Sequence, residues 1–175
     1  TSLALARLVQ GAKQRVVIQS PYLVASDEAI ALLGDVRARG VTVRISTNSL
    51  ASTDNLPAFS GYRNQRARLL AMGLRIFEYK PAPKVQQQLM QRLDVAPRIA
   101  PIFSLHAKTV VIDGKALYIG TFNFDPRSQN LNTEVGVIVR DEALGAAVEA
   151  AIETDMAPDN SWNAATDDPD AQASL

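Results

Sequence analysis

Apolar residues in the first half of this chain recur in two alternating rhythms, the three-to-four-residue interval of a helix face and the short β-branched runs of a buried strand. Residues 2–13 predict a helix, Val16–Tyr22 a strand, Asp27–Arg39 a helix stopped by Gly40, and Val41–Thr47 a strand. A helix over Phe59–Met72, stopped by Gly73, and a strand over Leu74–Tyr79 continue the alternation. Pro81 and Pro83 then break it, and residues 84–94 predict an amphipathic helix in a less regular insert. Past Pro97 and Pro101 the pattern changes. Leu105–Ile112 reads as a strand, Asp113-Gly114 as a tight turn, Ala116–Thr121 as the return strand, Glu134–Val139 as a further strand and Glu142–Thr154 as a helix. The fold class this implies is α/β, a mixed β-sheet flanked by helices with a β-hairpin in its second half. Residues 1–154 are expected to form a single domain. From residue 155 to 175 Pro, Asp, Asn, Ala and Ser dominate and the charge turns acidic, which predicts a tail of poor order beyond about Asn163.

Composition narrows the picture. At 175 residues and 47% hydrophobic content the chain can bury one ordinary core and is short for two. Eighteen basic and eighteen acidic residues balance, so there is no global positive field of the kind that drives sequence-independent nucleic-acid binding. The absence of cysteine excludes disulfides and thiol catalysis. No apolar stretch approaches the roughly 20 residues of a membrane span, so membrane contact in this chain is expected to be peripheral.

The chemistry gathers around the only histidine. His106 is followed by Lys108, then after four residues by Asp113, and after six more by Gly120-Thr121-Phe122-Asn123. With a two-residue loop at Asp113-Gly114, Lys108 falls opposite Ile119 and His106 opposite Thr121. Strand alternation then places His106, Lys108, Thr121 and Asn123 on one face, with the polar group at the end far from the turn. A three-residue loop would send Thr121 and Asn123 to the other face. Asp before Gly is also what a hairpin turn asks for on backbone grounds alone, so Asp113 has a structural reading beside a chemical one. Gly120 and Thr121 divide between strand packing and close approach to a ligand. Tyr22, in Ser20-Pro21-Tyr22, and Asn48 stand at predicted strand ends, where ligands of open α/β sheets collect. Asp125-Pro126 has the form of a helix N-cap with proline at the first helical position, and Arg127 would follow in the first turn. Arg63, Arg66 and Arg68 fall on a predicted helix as a wet face able to touch anionic headgroups.

This spacing resembles the signature of the phospholipase D superfamily, with Thr121 where serine is usual. Gln19–Leu23, Thr47–Ala51, Gly61–Gly73 leading into Tyr79-Lys80-Pro81, and Gly120–Ser128 together resemble the C-terminal half of bacterial cardiolipin-synthase-like phospholipase D proteins, over roughly residues 7–163. The resemblance implies a phosphodiesterase or phosphatidyltransferase acting on a phosphatidylglycerol-like phospholipid. One imidazole attacks phosphorus to give a phosphohistidine and a second protonates the leaving alkoxide. Lys108 and Asn123 would stabilise charge on the phosphoryl oxygens, so neither metal nor cofactor is called for. Gly120, Thr121, Tyr22 and Asn48 would contact substrate, and Glu134 would orient an imidazole, in two-half enzymes that of the other half.

Because the reaction needs two imidazoles and the chain holds one, it reads as the second catalytic half of a longer enzyme, with His106 the general acid/base and the N-terminal half absent. The chain opens on Thr1 rather than Met, in keeping with that expectation. The expected setting is bacterial, peripheral on the inner membrane or cytoplasmic. Two alternatives stand beside this: a single-motif phosphodiesterase or nuclease working as a homodimer, and a non-catalytic interaction domain.

Overall fold

The computed structural model describes residues 2–93, 101–123 and 133–173. The predicted alternation gives α1 (Ser2–Gln10), β1 (Arg15–Gln19), α2 (Asp27–Ala38), β2 (Thr42–Asn48), α3 (Leu56–Ala71), β3 (Arg75–Tyr79) and α4 (Lys84–Arg92). The second part supplies β4 (Thr109–Ile112), β5 (Ala116–Gly120), β6 (Gly136–Arg140), α5 (Glu142–Met156), β7 (Ser161–Asn163) and the short α6 (Pro169–Gln172). Caps fix several boundaries. Ser26 accepts from the Ala29 amide at the start of α2, and Asp141 accepts from the Leu144 amide at the start of α5. Asn55 accepts from the Ala58 amide with Pro57 in the first turn, so α3 begins three residues before its expected start. The expected N-cap at Asp125-Pro126 and Arg127 lies outside the described residues, as does Pro97.

The strands form one seven-stranded mixed sheet in the order β6-β5-β4-β1-β2-β3-β7. β1, β2 and β3 are parallel, as helical crossovers require, and β4, β5, β6 and β7 join antiparallel. One face carries Val16, Ile18, Val43, Ile45, Ile76, Val110 and Ile112, packed with Leu5 and Val9 of α1, Ile30, Leu33 and Val36 of α2, and Phe59, Tyr62 and Leu69 of α3. On the other face Val17, Val111 and Leu117 meet Ile152 and Met156 of α5. The result is a sheet between two helical layers, the arrangement expected for strands buried on both sides.

Residues past 155 depart from the expected tail. Ser161–Asn163 pair with Tyr79–Phe77 of β3 and close that edge of the sheet. Asp170 of α6 then pairs with Arg66 at 2.7 Å and Arg63 at 2.8 Å, while Arg66 also reaches the fully buried Glu78 at 2.8 Å, which accepts from the Tyr62 hydroxyl at 2.7 Å. Burial pushes the Glu78 carboxyl above its ordinary range, against the opposing pull of Arg66 and Tyr62. The arginine face expected to meet anionic headgroups is therefore largely engaged within the protein, with Arg68 held loosely at 3.7 Å from Asp27. Composition could not show this, because an acidic tail is legible as such only until its partners are known.

At the hairpin, Asp113 and Gly114 both adopt the left-handed conformation, at φ 55° and 67°, and the Lys115 amide donates to the Ile112 carbonyl at 2.9 Å. The ladder nevertheless runs Ile112↔Ala116, Val111↔Leu117, Val110↔Tyr118 and Thr109↔Ile119. Lys115 is thus an extra residue on the β5 side, in the manner of a bulge, and the register is the one set by a three-residue loop. This corrects the expectation that His106, Lys108, Thr121 and Asn123 share one strand face. The shift turns Lys115 out to solvent beside Glu142 and places Tyr118 with Val110 and Ile112 in the larger core.

The Asp113 carboxylate accepts from three successive amides, Lys13 at 2.9 Å, Gln14 at 2.8 Å and Arg15 at 2.8 Å, and its own amide donates to the Arg15 carbonyl. Partial burial favours the neutral acid, but these amides and the Arg15 charge outweigh it and hold the carboxyl below its ordinary range. Its charged form therefore stabilises the folded state above the unfolded pKa of about 3.9, and that contribution is lost as pH falls through the lower folded value. Asp113→Asn, which tolerates the same backbone conformation, should lose about 2 kcal/mol in urea unfolding at pH 7. The gap from wild type should close as the buffer is taken below the depressed pKa. A gap that persists unchanged into that acid range would refute this account.

Candidate functional site

Strand pairing alone places the chemistry. Gln19, the last residue of β1, pairs with Ser46 of β2 and with Thr109, the first residue of β4. Asn48 pairs with Tyr79 at the ends of β2 and β3, Thr109 with Ile119, and Gly120 with Gly136. The carboxyl ends of β1, β2, β3 and β5 therefore share one edge with the amino ends of β4 and β6. Along that edge lie Ser20–Tyr22, Asn48–Ser52, Lys80-Pro81, the segment leading into Thr109, Gly120–Asn123 and Glu134.

His106 lies on this edge, exposed, in a segment that precedes β4 rather than within a strand. The predicted strand from Leu105 loses its first four residues because its neighbour β1 ends at Gln19 and loops take over the backbone bonds. The Phe103 amide donates to the Pro81 carbonyl at 2.9 Å, and Leu105 is held by the side chain of Asn48. Lys108 is partly buried at the mouth of the ladder, its carbonyl accepting from the Gly120 amide at 3.1 Å and its ammonium donating to the His106 carbonyl at 2.8 Å. Beyond Gly120 the chain leaves β5. Thr121 is exposed, its hydroxyl donating to the Glu134 carboxylate and accepting from the Val135 amide at 3.1 Å, and Asn123 is partly buried two residues on.

Three expected site residues turn out differently. Asp113 stands at the turn, at the opposite end of β4 from His106, and its carboxylate is enclosed by the amides of residues 13–15. Hairpin attachment accounts for its place in the sequence pattern, and its carboxylate serves the backbone at the end of β4 away from His106. Gly120 does not open space for a ligand. A side chain there would meet the Tyr118 hydroxyl at 2.3 Å, and one at its partner Gly136 would meet the Tyr118 ring at 2.2 Å, so the ring lies across this pair of glycines. Asn48 is buried, with its carboxamide bound to backbone, so it does not present itself to a ligand. Tyr22 is partly buried on the edge, its hydroxyl donating to Asp54 at 2.9 Å and tying the loop after β1 to the loop after β2.

Two features escaped the sequence reading. Tyr118 packs between the core and the edge, and its hydroxyl rises above its ordinary pKa, chiefly through burial and also through the nearby Glu134 charge, with a bond to the Phe122 backbone opposing. The signal was the pair of glycines flanking one aromatic strand residue, visible only once their pairing is known. On the α5 side of the same edge, Gln19 donates to Asp155 at 2.8 Å, and burial pushes that carboxyl up against the pull of this bond. Nothing in the sequence marks Asp155, which looked like the first residue of a tail. Among the described residues no group of histidine and carboxylates is arranged to hold a metal, and no helix is long and apolar enough to cross a membrane.

The sequence profile described as "Cardiolipin synthase, PLD-like domain" matches residues 5–156. The chain belongs to that family. Over 136 residues, 78% of the chain, it is 40% identical to cardiolipin synthase C of Escherichia coli K12. Of that protein's own length the match covers 28%, and the chain spans little more than a quarter of the curated relatives it matches. In fold it superposes on NucT from Helicobacter pylori with a TM-score of 0.67 at 16% identity, covering 91% of this chain and 89% of that one. On Nuc of Salmonella typhimurium, described as a phospholipase D family member, the TM-score is 0.65 at 13% identity, covering 92% and 90%. These likenesses establish the phospholipase D fold, and the bacterial cardiolipin synthases establish the lineage.

The glycine pair gives a check on the geometry of this edge. Gly136→Ala should destabilise the protein by about 1–3 kcal/mol through overpacking against Tyr118. Combined with Tyr118→Ala, its effect in thermal unfolding should be clearly less than additive. Strict additivity would mean that the ring does not occupy this space.

Proposed function

We propose that this chain contributes one motif to a composite site that cleaves a phospholipid phosphodiester and passes the phosphatidyl group to an alcohol or to water, in the manner of a cardiolipin synthase. The observation that carries the reading is the placement of the exposed His106 and the partly buried Lys108 just before β4, at the sheet edge where β1, β2, β3 and β5 end, in a member of this family. One imidazole attacks phosphorus and expels an alkoxide, which takes a proton from a second imidazole. The acceptor hydroxyl then returns a proton to that second imidazole and displaces the phosphoryl group from the first. Lys108 and Asn123 oppose the charge gathering on the non-bridging oxygens, and Glu134, steadied by Thr121, orients an imidazole facing it. No step requires a metal or cofactor.

Since the chain holds one histidine, the second imidazole comes from elsewhere, and His106 takes the acid/base role opposite a nucleophile in another half. The span of little more than a quarter of its curated relatives supports a longer parent polypeptide. A second reading is favoured by a different observation: the chain covers about nine-tenths of Nuc and NucT. In that reading two copies of this chain meet about a two-fold axis and form a phosphodiesterase from two His106 side chains. Membrane contact in either case is peripheral and bacterial, and the balanced charge disfavours nucleic acid as substrate.

The test uses the full polypeptide carrying this chain, vesicles containing labelled phosphatidylglycerol, and the variants His106→Ala and Lys108→Ala. Each should lower phosphatidyl transfer by about a thousandfold or more with the fold intact. Equal product from wild type and both variants would refute the assignment. The 175-residue chain alone should give no lipid product when sedimentation shows a monomer. Activity that appears only with a two-fold dimer would select the second reading.

A further inference from the structure

Asn48 ends β2 and is 1% exposed, yet it is polar and uncharged at a position where β1 and β3 end on either side. Its Oδ1 accepts from the Leu105 amide at 2.8 Å, and its Nδ2 donates to the Leu105 carbonyl at 3.0 Å. One planar carboxamide thus makes both hydrogen bonds that a neighbouring strand would make, to the residue immediately before His106. The same Nδ2 lies 3.4 Å from the Pro21 carbonyl, and Oδ1 lies 3.4 Å from the Ser52 hydroxyl, which donates to the Tyr79 carbonyl at 2.8 Å. Asn48 is therefore fixed by loops at the ends of three parallel strands. Within residues 104–107 this side chain holds the Leu105 backbone at both its amide and its carbonyl, from 57 positions away in the chain, while the His106 carbonyl accepts from the nearby Lys108 ammonium at 2.8 Å. The Phe103 amide and the Lys108 carbonyl are tied on either side, and the Leu105 side chain is buried, so the Asn48 carboxamide fastens the middle of the span that carries the imidazole to the ends of the parallel strands.

We infer that Asn48 is a positioning residue for His106, substituting a side-chain amide for a missing strand partner so that the imidazole is held outside the ladder at a fixed place. The chemistry of the clamp is specific. A carboxamide offers a donor and an acceptor side by side in one plane without titrating. Ionised aspartate offers acceptors alone and would bury a charge against the Leu105 carbonyl, and glutamine carries its amide one methylene too far. A displacement of about 1 Å at a reacting group lowers turnover by about a hundredfold. The inference rests on the proposal that His106 is a reacting imidazole, and it adds to that proposal the group that sets where the imidazole stands.

The experiment compares Asn48→Ala and Asn48→Asp with Thr53→Ala, which removes the hydroxyl that accepts from the Asn55 amide in the loop after β2 and is hydrogen-bonded to neither Asn48 nor Leu105, in the full polypeptide carrying this chain. Hydrogen exchange over residues 103–108 is read by mass spectrometry, and kcat and KM are read with vesicles containing phosphatidylglycerol, corrected for the folded fraction. Both Asn48 variants should exchange faster in this span and lose about 30- to 100-fold in kcat with KM within about threefold, while Thr53→Ala stays within about threefold in both. Unchanged exchange in Asn48→Ala overturns the clamp. Faster exchange with wild-type kcat, in an enzyme that His106→Ala inactivates, overturns the positioning role. Should wild type and His106→Ala turn over lipid equally, the phospholipid reading has failed on its own, and faster exchange confined to the Asn48 variants upholds the hold on the His106 segment.

Discussion

The antiparallel pairing of β4 with β1 is the constraint on which the rest of the structure depends. It aligns Thr109 with Gln19, so that the segment carrying His106 arrives where the parallel strands end. Parallel strands point their carboxyl ends, and the loops that follow, towards one edge of the sheet. An inserted antiparallel strand reaches the same edge with its amino end, and the residues just before it can leave the ladder without breaking the core. His106 occupies that exit. The opposite end of β4 is closed by Asp113, whose carboxylate gathers three amides at the start of β1 and thereby fixes the same pairing from the other side.

Two partly buried ion clusters hold the outer layers to this sheet. Glu149 of α5 pairs with Arg15 at 2.6 Å and Arg44 at 3.0 Å, joining one helical layer to β1 and β2. Glu78, Arg66 and Asp170 join α3 and β3 to the C-terminal α6. Desolvation makes such charges poor sources of net stability, but removing one partner leaves the other unpaired, so they specify which surfaces meet. The aliphatic faces of the helices could slide over the sheet. These bonds select one arrangement.

Beside the edge that bears the motif, Val135 just before β6, Val137 on β6 and Ile119 on β5 are exposed. A composite site, built with another half or a second copy, would be completed from beyond this chain. Family membership and the share of the longer relatives that the chain covers fit the first arrangement, and its near-complete coverage of two structurally similar chains fits the second. Both arrangements use the same local geometry, since in each the missing imidazole must come from outside the chain.

The order of elements was legible in the sequence because helix and strand impose different periods and because Gly40 and Gly73 mark boundaries through local backbone needs. The candidate site was legible as residue identities: His106, Lys108 and Asn123 are read from spacing, and their chemistry follows from their functional groups. Where those groups stand was not. A single extra residue at Lys115 changed the register of the hairpin, and no local rule separates the two loop lengths, because both accept Asp113-Gly114 with left-handed geometry. The roles of Asn48, Gly120 and the acidic tail were decided by partners 16 to 104 residues away in the chain, namely Leu105, Gly136 and Arg66. Sequence by itself determined what each side chain can do and which short segments fold regularly, because those depend on neighbours along the chain. Tertiary structure decided which polar groups face a substrate and which serve the backbone, because only long-range packing determines which of them are removed from water.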